Sequence, residues 1–240
     1  MAIKTILVSQ PKPEGKKSPY FDLAEKYGLK IDFRSFIHVD GIGAQEFRAQ
    51  KIDLAAHTAV ILTSKTAVDH FFRIAEEMRF EVPDSMKYFC ISEAVAYYLQ
   101  KYVAYRQRKI FFGKQTIVDL VDVLKKHKKE TFLLPCTDRL RDNIPLTLES
   151  NNLKFTKAVL YRTVASDLSD LEDVYYDMLV FYSPGGIESL LKNFPNFKQN
   201  DTVIAAFGPT TANAIVKNNL RLDLHAPQPN APSMTGAIEL

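Results

Sequence analysis

The 240-residue sequence predicts an α/β fold made of two similar domains, each built on a parallel sheet. The first observation is that short apolar runs alternate with helix-length amphipathic segments, an order that predicts parallel strands joined by right-handed crossovers. The second is that the same order of elements occurs twice along the chain, which predicts an internal duplication.

Two pairs of segments carry most of this repeat. "AVILTSKTAVDHFF" (59–72) matches "DMLVFYSPGGIESLL" (177–191), and "YFCISEAVAYYL" (88–99) matches "IAAFGPTTANAI" (204–215). Each is an apolar strand, a small polar turn and then helical periodicity. Runs such as "MLVFY" are apolar throughout, as expected for strands covered on both faces of a sheet. The alternative is chance similarity between unrelated βα units, which share this pattern in any case.

A third pair begins with "TILVSQP" in the first half and "TFLLPCT" in the second. Later in these segments Gly28 stands opposite Asn152, each followed by a new strand-like run. Glycine and asparagine both suit the left-handed residue that ends a helix. We therefore expect a helix C-terminus at both positions.

The polar turns of the repeat follow strands, so they lie at the carboxyl edge of each predicted sheet, where ligands bind in such folds. In "AAFGPTTANAI", Gly208 permits close backbone approach, Pro209 suits the first helical turn, and Thr210 and Thr211 offer amides and hydroxyls. Such a helix N-terminus favours anions. The alternative for any single turn is ordinary helix capping by Ser or Thr.

Composition is that of a folded globular chain, with 46% hydrophobic residues and a net charge of +3. This mild charge does not predict nucleic-acid binding, and the basic run 125–130 is typical of a solvated helix end.

The sequence contains only two cysteines, Cys90 and Cys136, which favours a reducing compartment. The apolar run Ile6–Val8 is far too short for a signal or membrane segment, so we expect a cytoplasmic protein without membrane association.

Common catalytic and cofactor motifs are missing from the sequence. There is no P-loop, and "GIGAQE" (41–46) lacks the third glycine of a dinucleotide fingerprint, so it is interpreted as a flexible connector. The five histidines have no metal-ligand spacing, and none lies beside a nucleophile elbow. The residues therefore predict neither a metal site nor a catalytic triad.

With "VILTSKTAV", "LLPCTDRLRDNIPLTL", "KAVLYRTV", "VFYSPGGI" and "AAFGPTTANAI" in this order, the chain resembles the uroporphyrinogen-III synthase family over nearly its whole length. The resemblance implies two α/β domains joined by a two-stranded antiparallel connector, with the active site in the interdomain cleft. One domain would combine residues 1–35 and 166–240, and the other would span 42–157. The connector strands would lie at about 32–41 and 157–165.

The family's reaction is implied with the fold. Hydroxymethylbilane, a linear tetrapyrrole with acetate and propionate groups, is dehydrated and cyclised with inversion of ring D to give uroporphyrinogen III in haem biosynthesis. The enzyme would be a hydro-lyase without cofactor or metal. Its partner would be this substrate alone, with no nucleic acid and a monomeric state.

The resemblance also implies roles for individual residues. Tyr161 matches the family's connector tyrosine and would donate a hydrogen bond or proton to the departing hydroxyl. Its alternative is a connector tyrosine packed against one domain. Substrate would contact turn residues, mainly through backbone amides: Thr63, Ser64, Lys65, Ser92, Ser183, Gly185, Gly186, Pro209, Thr210 and Thr211. Arg139 and Arg141 would add positive charge, unless they are simply solvated.

Some positions depart from the family pattern. Ser92 and Val95 replace its usual Gly and Thr, and Gln10 stands where many members have Arg. The turn that holds Ser92 therefore loses a hydroxyl and some backbone freedom, and Gln10 removes one possible partner for a carboxylate. One alternative function is a non-catalytic two-lobed protein that binds a tetrapyrrole or another polyanion. A sugar-nucleotide transferase is a weaker alternative, because the chain lacks a nucleotide motif.

Overall fold

The chain forms two compact α/β units. This computed structural model describes residues 3–15, 17–140 and 142–240. The first unit comprises Met1–His38 and Val164–Leu240, and the second comprises Val39–Thr163. The first unit is therefore discontinuous in sequence, and the second is one continuous segment.

In chain order, the strands are β1 (Thr5–Val8), β2 (Lys30–Phe33), β3 (Ile37–Gly41), β4 (Ala59–Leu62), β5 (Lys87–Cys90), β6 (Ile110–Phe112), β7 (Phe132–Thr137), β8 (Phe155–Ala165), β9 (Met178–Phe181), β10 (Val203–Phe207) and β11 (Leu224–Ala226). The helices are α1 (Pro19–Tyr27), α2 (Ala44–Ala49), α3 (Lys65–Glu77), α4 (Glu93–Leu99), α5 (Val121–Lys126), α6 (Asn143–Ser150), α7 (Pro184–Asn193), α8 (Pro209–Lys217) and α9 (Met234–Glu239).

Strand order confirms the predicted duplication. The first sheet runs β11-β10-β9-β1-β2, and the second runs β6-β5-β4-β7-β8 and then β3. The two orders correspond strand for strand, and the pairs between these corresponding neighbours are parallel. Segments matched by sequence, such as β4 with β9 and β5 with β10, therefore occupy equivalent places.

Both faces of each sheet are covered, as the apolar strands predict. Along β4, Val60 and Leu62 pack in one hydrophobic cluster, whereas Ala59 and Ile61 pack in another. The residues of β9 alternate in the same way between two clusters of the first unit. Because successive side chains of a strand point to opposite faces, this alternation places helices or loops on both sides of each sheet.

Left-handed residues end two equivalent helices, as the sequence predicts. Gly28 follows α1 with φ of 64°, and Asn152 follows α6 with φ of 56°. The amide of Leu29 then bonds to the Ala24 carbonyl, and that of Leu153 bonds to Leu148. Each bond closes the helix end before the next strand begins.

Strands β3 and β8 are neighbours in the second sheet and run antiparallel. The direction follows from two bonds, from Ser166 N–H to the Phe36 carbonyl and from Ile42 N–H to the Leu160 carbonyl. The predicted connector segment 32–41 is divided, because Lys30–Phe33 pairs in parallel with β1 and only Ile37–Gly41 lies beside β8.

The segment 41–46 is not the flexible connector that its glycines suggested. Gly41 ends β3, and Gly43 is the N-cap of α2 in an extended conformation. The prediction was wrong because it took two glycines as a sign of flexibility. One of them belongs to a strand, and the other caps a helix.

Asp177 links the start of β1 to the start of β9, and we expect this link to make the first unit sensitive to acid. Its Oδ2 accepts bonds from the Lys4 amide at 2.9 Å, the Thr5 amide at 2.8 Å and the Thr5 hydroxyl at 2.9 Å. These donors hold the pKa of Asp177 below its usual 3.8. A lowered folded-state pKa gives stability that is present above the unfolded-state value and lost as pH falls through the folded-state value.

The melting temperature of the first unit should therefore decrease as the pH falls below about 4. Asp177→Asn should make this decrease smaller, and it should also lower the melting temperature at neutral pH. Calorimetry across pH measures both effects. Asp173→Asn removes an exposed carboxylate nearby and serves as the charge control. Identical acid profiles for wild type and Asp177→Asn would contradict the assignment.

Among the helices in the described part of the chain, none has the length and apolarity that crossing a bilayer requires.

Candidate functional site

In both units the predicted turn residues follow parallel strands, at the carboxyl edge of the sheet. In the second unit these are the turns after β4, β5 and β7, and in the first unit those after β1, β9 and β10. Strand order reverses between β4 and β7 and between β1 and β9. Such reversals leave a crevice where α/β proteins bind ligands.

The turn after β4 places Ser64 at the start of α3. Ser64 is the N-cap, and its hydroxyl accepts a bond from the Ala67 amide at 3.0 Å. The amides of Lys65 and Thr66 come earlier in the helix and have no intrahelical partner. Thr63 is half-buried, and Lys65 is exposed with its Nζ 5.4 Å from the centre of the Tyr98 ring. This turn therefore offers backbone donors and a cation at a helix N-terminus.

Tyr161 lies beside the same turn because of a β-bulge. Val159 pairs with Cys136 but Tyr161 pairs with Thr137, so Leu160 is an extra residue on β8. The bulge changes the direction of the following side chain. Tyr161 is 8% exposed, and its phenol lies near the Ser64 side chain. Burial raises the pKa of the phenol and the neighbouring Ser64 lowers it, with the net shift upward.

Ser92, after β5, caps α4 by accepting a bond from the Val95 amide at 3.4 Å. Its φ of −149° is open to any residue, whereas the equivalent Gly208 has φ of 84°. The departure from the family pattern at Ser92 is thus accommodated by an extended cap. After β7, Arg139 is exposed, and Arg141 lies outside the described residues.

The turn after β9 holds Ser183, Pro184, Gly185 and Gly186. Ser183 is the N-cap of α7, but its hydroxyl does not bond to the helix. Gly185 is half-buried, and its amide has no intrahelical partner. Gly186 is buried, and a Cβ there would lie 3.1 Å from Phe181 Cδ1 and 3.5 Å from Ser9 Oγ. Gly186 therefore supports the turn, and Ser183 and Gly185 are its accessible donors.

Ser9, at the end of β1, was missed by sequence reasoning. It is 9% exposed, and its buried Oγ has no hydrogen-bond partner among the described residues. The sequence showed that Ser9 follows the strand-like run "TILV", but it did not show that Gly186 lies close to Ser9. The neighbouring Gln10 is exposed.

The turn after β10 begins α8 at Pro209, as the sequence predicts. The Gly208 amide bonds to the Ala226 carbonyl at 2.7 Å, and the Ala212 amide bonds to the Gly208 carbonyl. Pro209 and Thr210 are exposed, whereas Thr211 is only 1% exposed. A ligand at this turn would therefore meet the Thr210 amide and hydroxyl, while Thr211 packs inside the unit.

Gly208 is required for its backbone conformation, and Gly208→Ala should destabilise the first unit by about 1–3 kcal/mol. Its φ of 84° with ψ of 152° is a region open essentially to glycine, although nothing lies within 4 Å of the Cβ position. Denaturant unfolding followed by hydrogen exchange in α8 measures the loss. Gly43→Ala is the matched control, because φ there is −82° and the Cβ position is also open. Equal losses in the two variants would contradict the conformational argument.

Two cavities lie away from these turns. One, of about 370 Å³, lies beside the amino ends of β9 and β10, with Tyr176, Phe194 and Thr202 in its wall. The other, of about 410 Å³, lies beside the amino ends of β5 and β6 in the second unit, with Met86 and Lys109 in its wall. Neither cavity contains a predicted site residue.

Comparison with known proteins agrees with these features. The sequence model of the HEM4 family, described as uroporphyrinogen-III synthase HemD, matches residues 19–236. A uroporphyrinogen-III synthase of Saccharomyces cerevisiae is 28% identical over 114 residues, which cover 42% of this chain and 42% of the yeast protein. The match to that relative thus spans less than half of its length.

Two solved structures share the fold. Uroporphyrinogen-III synthetase from Helicobacter pylori superposes with a TM-score of 0.59 and 17% identity, covering 99% of this chain and 97% of that chain. A mutant uroporphyrinogen III synthase from Thermus thermophilus superposes with a TM-score of 0.51 and 14% identity, covering 98% of this chain and 97% of that chain. Because the family match extends over most of the sequence, this chain belongs to the uroporphyrinogen-III synthase family.

Proposed function

We propose that this protein converts hydroxymethylbilane to uroporphyrinogen III, with loss of water and inversion of ring D, as a cyclising hydro-lyase of haem biosynthesis. The observation that carries the proposal is the buried Tyr161 phenol, which the bulge at Leu160 places beside Ser64 at the N-terminus of α3. Family membership supports the same reaction. The proposal needs one chain and one small-molecule substrate.

Tyr161 acts as the acid for the departing hydroxyl. Because burial raises the pKa of its phenol, Tyr161 keeps its proton at neutral pH. It donates this proton as the carbon–oxygen bond breaks, so water leaves and the pyrrole nitrogen supplies the electron pair, giving an azafulvene cation. The phenolate then lies near the N-terminus of α3, where a negative charge is stabilised.

Ring closure follows without a further group from the protein in the bond-forming step. The substituted carbon of ring D attacks the azafulvene carbon to give a spiro intermediate, which opens and recloses with ring D inverted. The ring D carbon that forms the final bond loses its proton, and the Tyr161 phenolate accepts it. The balance is loss of one water, with Tyr161 restored as the phenol.

The strand-end turns bind the acetate and propionate groups. Backbone amides at helix N-termini suit carboxylates, and they add little fixed charge to the site. We assign this role to the turns that hold Thr63, Ser64 and Lys65, Ser92, Ser183 with Gly185, and Pro209 with Thr210. Holding these groups limits the conformations of a flexible bilane and brings its two ends together, which lowers the barrier by proximity.

Freshly generated hydroxymethylbilane tests the proposal. The product is oxidised to uroporphyrin, and isomers I and III are separated by chromatography with and without the protein. Spontaneous closure gives isomer I, so we expect a protein-dependent change to isomer III. A ratio that stays at the spontaneous value with folded protein would overturn the synthase proposal in favour of a non-catalytic tetrapyrrole-binding protein.

A further inference from the structure

The Tyr161 ring is stacked on a histidine that no catalytic motif explains. The centroids of His70 and Tyr161 are 5.0 Å apart, and their planes differ by 21°. His70 lies on α3, the helix whose first turn contains Ser64, and Tyr161 lies on β8. Ser64 therefore lies near the phenol of the tyrosine, and His70 contacts the face of its ring.

Arg73 holds His70 in one orientation. Its Nε donates to His70 Nδ1 at 3.1 Å, and its guanidinium pairs with Glu77 one turn further along α3. Since Nδ1 accepts this bond, a neutral His70 carries its proton on Nε2. Burial and the nearby Arg73 lower the pKa of His70, although Asp69, Asp40 and Glu77 act in the opposite direction.

The same guanidinium also supports the bulge. Arg73 Nη2 donates to the Leu160 carbonyl at 3.1 Å and to the Ile42 carbonyl at 2.8 Å. Leu160 is the extra residue that sets the direction of Tyr161. One side chain thus fixes both the ring stacked on Tyr161 and the backbone that precedes it.

Gly41 leaves the space in which this arrangement fits. A Cβ at this position would lie 2.8 Å from both Arg73 Nη2 and His70 Cε1. Either side chain would have to move, and Arg73 is restrained by its bonds to two carbonyls. Gly41 has ordinary backbone angles, so the need for glycine is steric.

We propose that His70, held by Arg73, is a positioning residue that orients the Tyr161 hydroxyl for proton donation. This proposal rests on the proposed function, because it assigns a partner to the tyrosine that acts there as the acid. In this role His70 acts through Tyr161 and not on the reacting atoms. It acts by restricting the Tyr161 ring to the orientation that the stack sets.

The test is a double-mutant cycle with the isomer III assay. His70→Ala should lower kcat roughly 10-fold at unchanged KM, since even a displacement of about 1 Å in a catalytic geometry can cost ~100-fold. In a Tyr161→Phe background the same substitution should change kcat less than about 2-fold, because the hydroxyl that it orients is gone. His70→Phe, which keeps a ring on Tyr161, should recover most of the loss.

His127→Ala is the matched control. This histidine also packs against aromatic rings of the second unit, at 5.4 Å from Phe89 and 4.7 Å from Phe111. Its removal should leave kcat within about 2-fold of wild type, since it has no contact with Tyr161. Unchanged kcat in His70→Ala, or equal losses in both backgrounds of the cycle, would overturn the positioning role.

A second readout separates this proposal from the proposed function. With ¹³Cζ-labelled tyrosine, the Tyr161 resonance, assigned by its loss in Tyr161→Phe, should shift in His70→Ala and stay in place in His127→Ala. If wild type fails to form isomer III, the synthase proposal falls, and the resonance still reports whether His70 packs on Tyr161. If isomer III forms but the resonance does not shift, the positioning proposal alone falls.

Discussion

Tyr161→Phe is expected to lower kcat for isomer III formation by about 100-fold, the lower end of what a positioned general acid contributes. The substitution removes only the hydroxyl, so the stack on His70 and the packing of β8 are retained. Without the proton donor, the hydroxyl of the bilane leaves slowly and spontaneous closure to isomer I competes. Initial rates of isomer III formation under saturating substrate measure the effect.

Tyr88→Phe is the matched control for this prediction. Tyr88 is 4% exposed in the same hydrophobic cluster as Tyr161, and burial raises the pKa of its phenol as well. It lies on β5, beside the cavity at the amino end of that strand. Its substitution should leave kcat within about 2-fold of wild type, the size expected for a site outside the chemistry. Equal rates for Tyr161→Phe and wild type would remove Tyr161 from the mechanism.

Phe181→Ala is expected to destabilise the first unit by about 3–5 kcal/mol, as for other buried phenylalanines. Phe181 is fully buried on β9 and packs edge-on against Phe36, with ring centroids 5.7 Å apart. Its ring also lies against Gly186 in the turn that holds Ser183. The substitution therefore leaves a cavity directly beneath a proposed carboxylate-binding turn, and KM should rise as well.

Hydrogen exchange measured by mass spectrometry is the suitable method, because a two-unit chain does not unfold as one transition and this sequence has no tryptophan. Amides of β9 and β10 should lose protection in Phe181→Ala, and those of β4 and β5 should keep it. Phe112→Ala, at a phenylalanine 44% exposed, should cost less than about 1 kcal/mol. A similarly small loss in Phe181→Ala would contradict the packing argument.

Local chemistry made much of the fold predictable. Gly28 and Asn152 indicated left-handed helix ends, a role that depends on one residue and its immediate neighbours. Ordinary capping was the alternative for each polar turn, and Ser64 and Ser92 are N-caps in the structure. Gly208 was expected to allow close approach, but its role is conformational, since its Cβ position is open. The sequence identified the position, but the backbone angles were needed to show why it must be glycine.

The site was less predictable where contacts join distant parts of the chain. The bulge at Leu160 depends on pairing with β7, and the stack of His70 on Tyr161 joins residues far apart in sequence. His70 had no metal-ligand or catalytic spacing, so no local pattern distinguished it from His57 or His127. The place of Ser9 in the site likewise depends on the approach of Gly186, which follows the neighbouring strand β9.

The discontinuous first unit determines the order in which the parts of this protein can fold during synthesis. All strands of the second sheet are present once residue 165 has emerged, whereas β1 and β2 have only each other until β9 follows. A two-stranded element is marginal in water, and domains generally fold as units during translation. The part that carries Tyr161 is therefore complete while the turns of Ser183 and Thr210 have yet to be made.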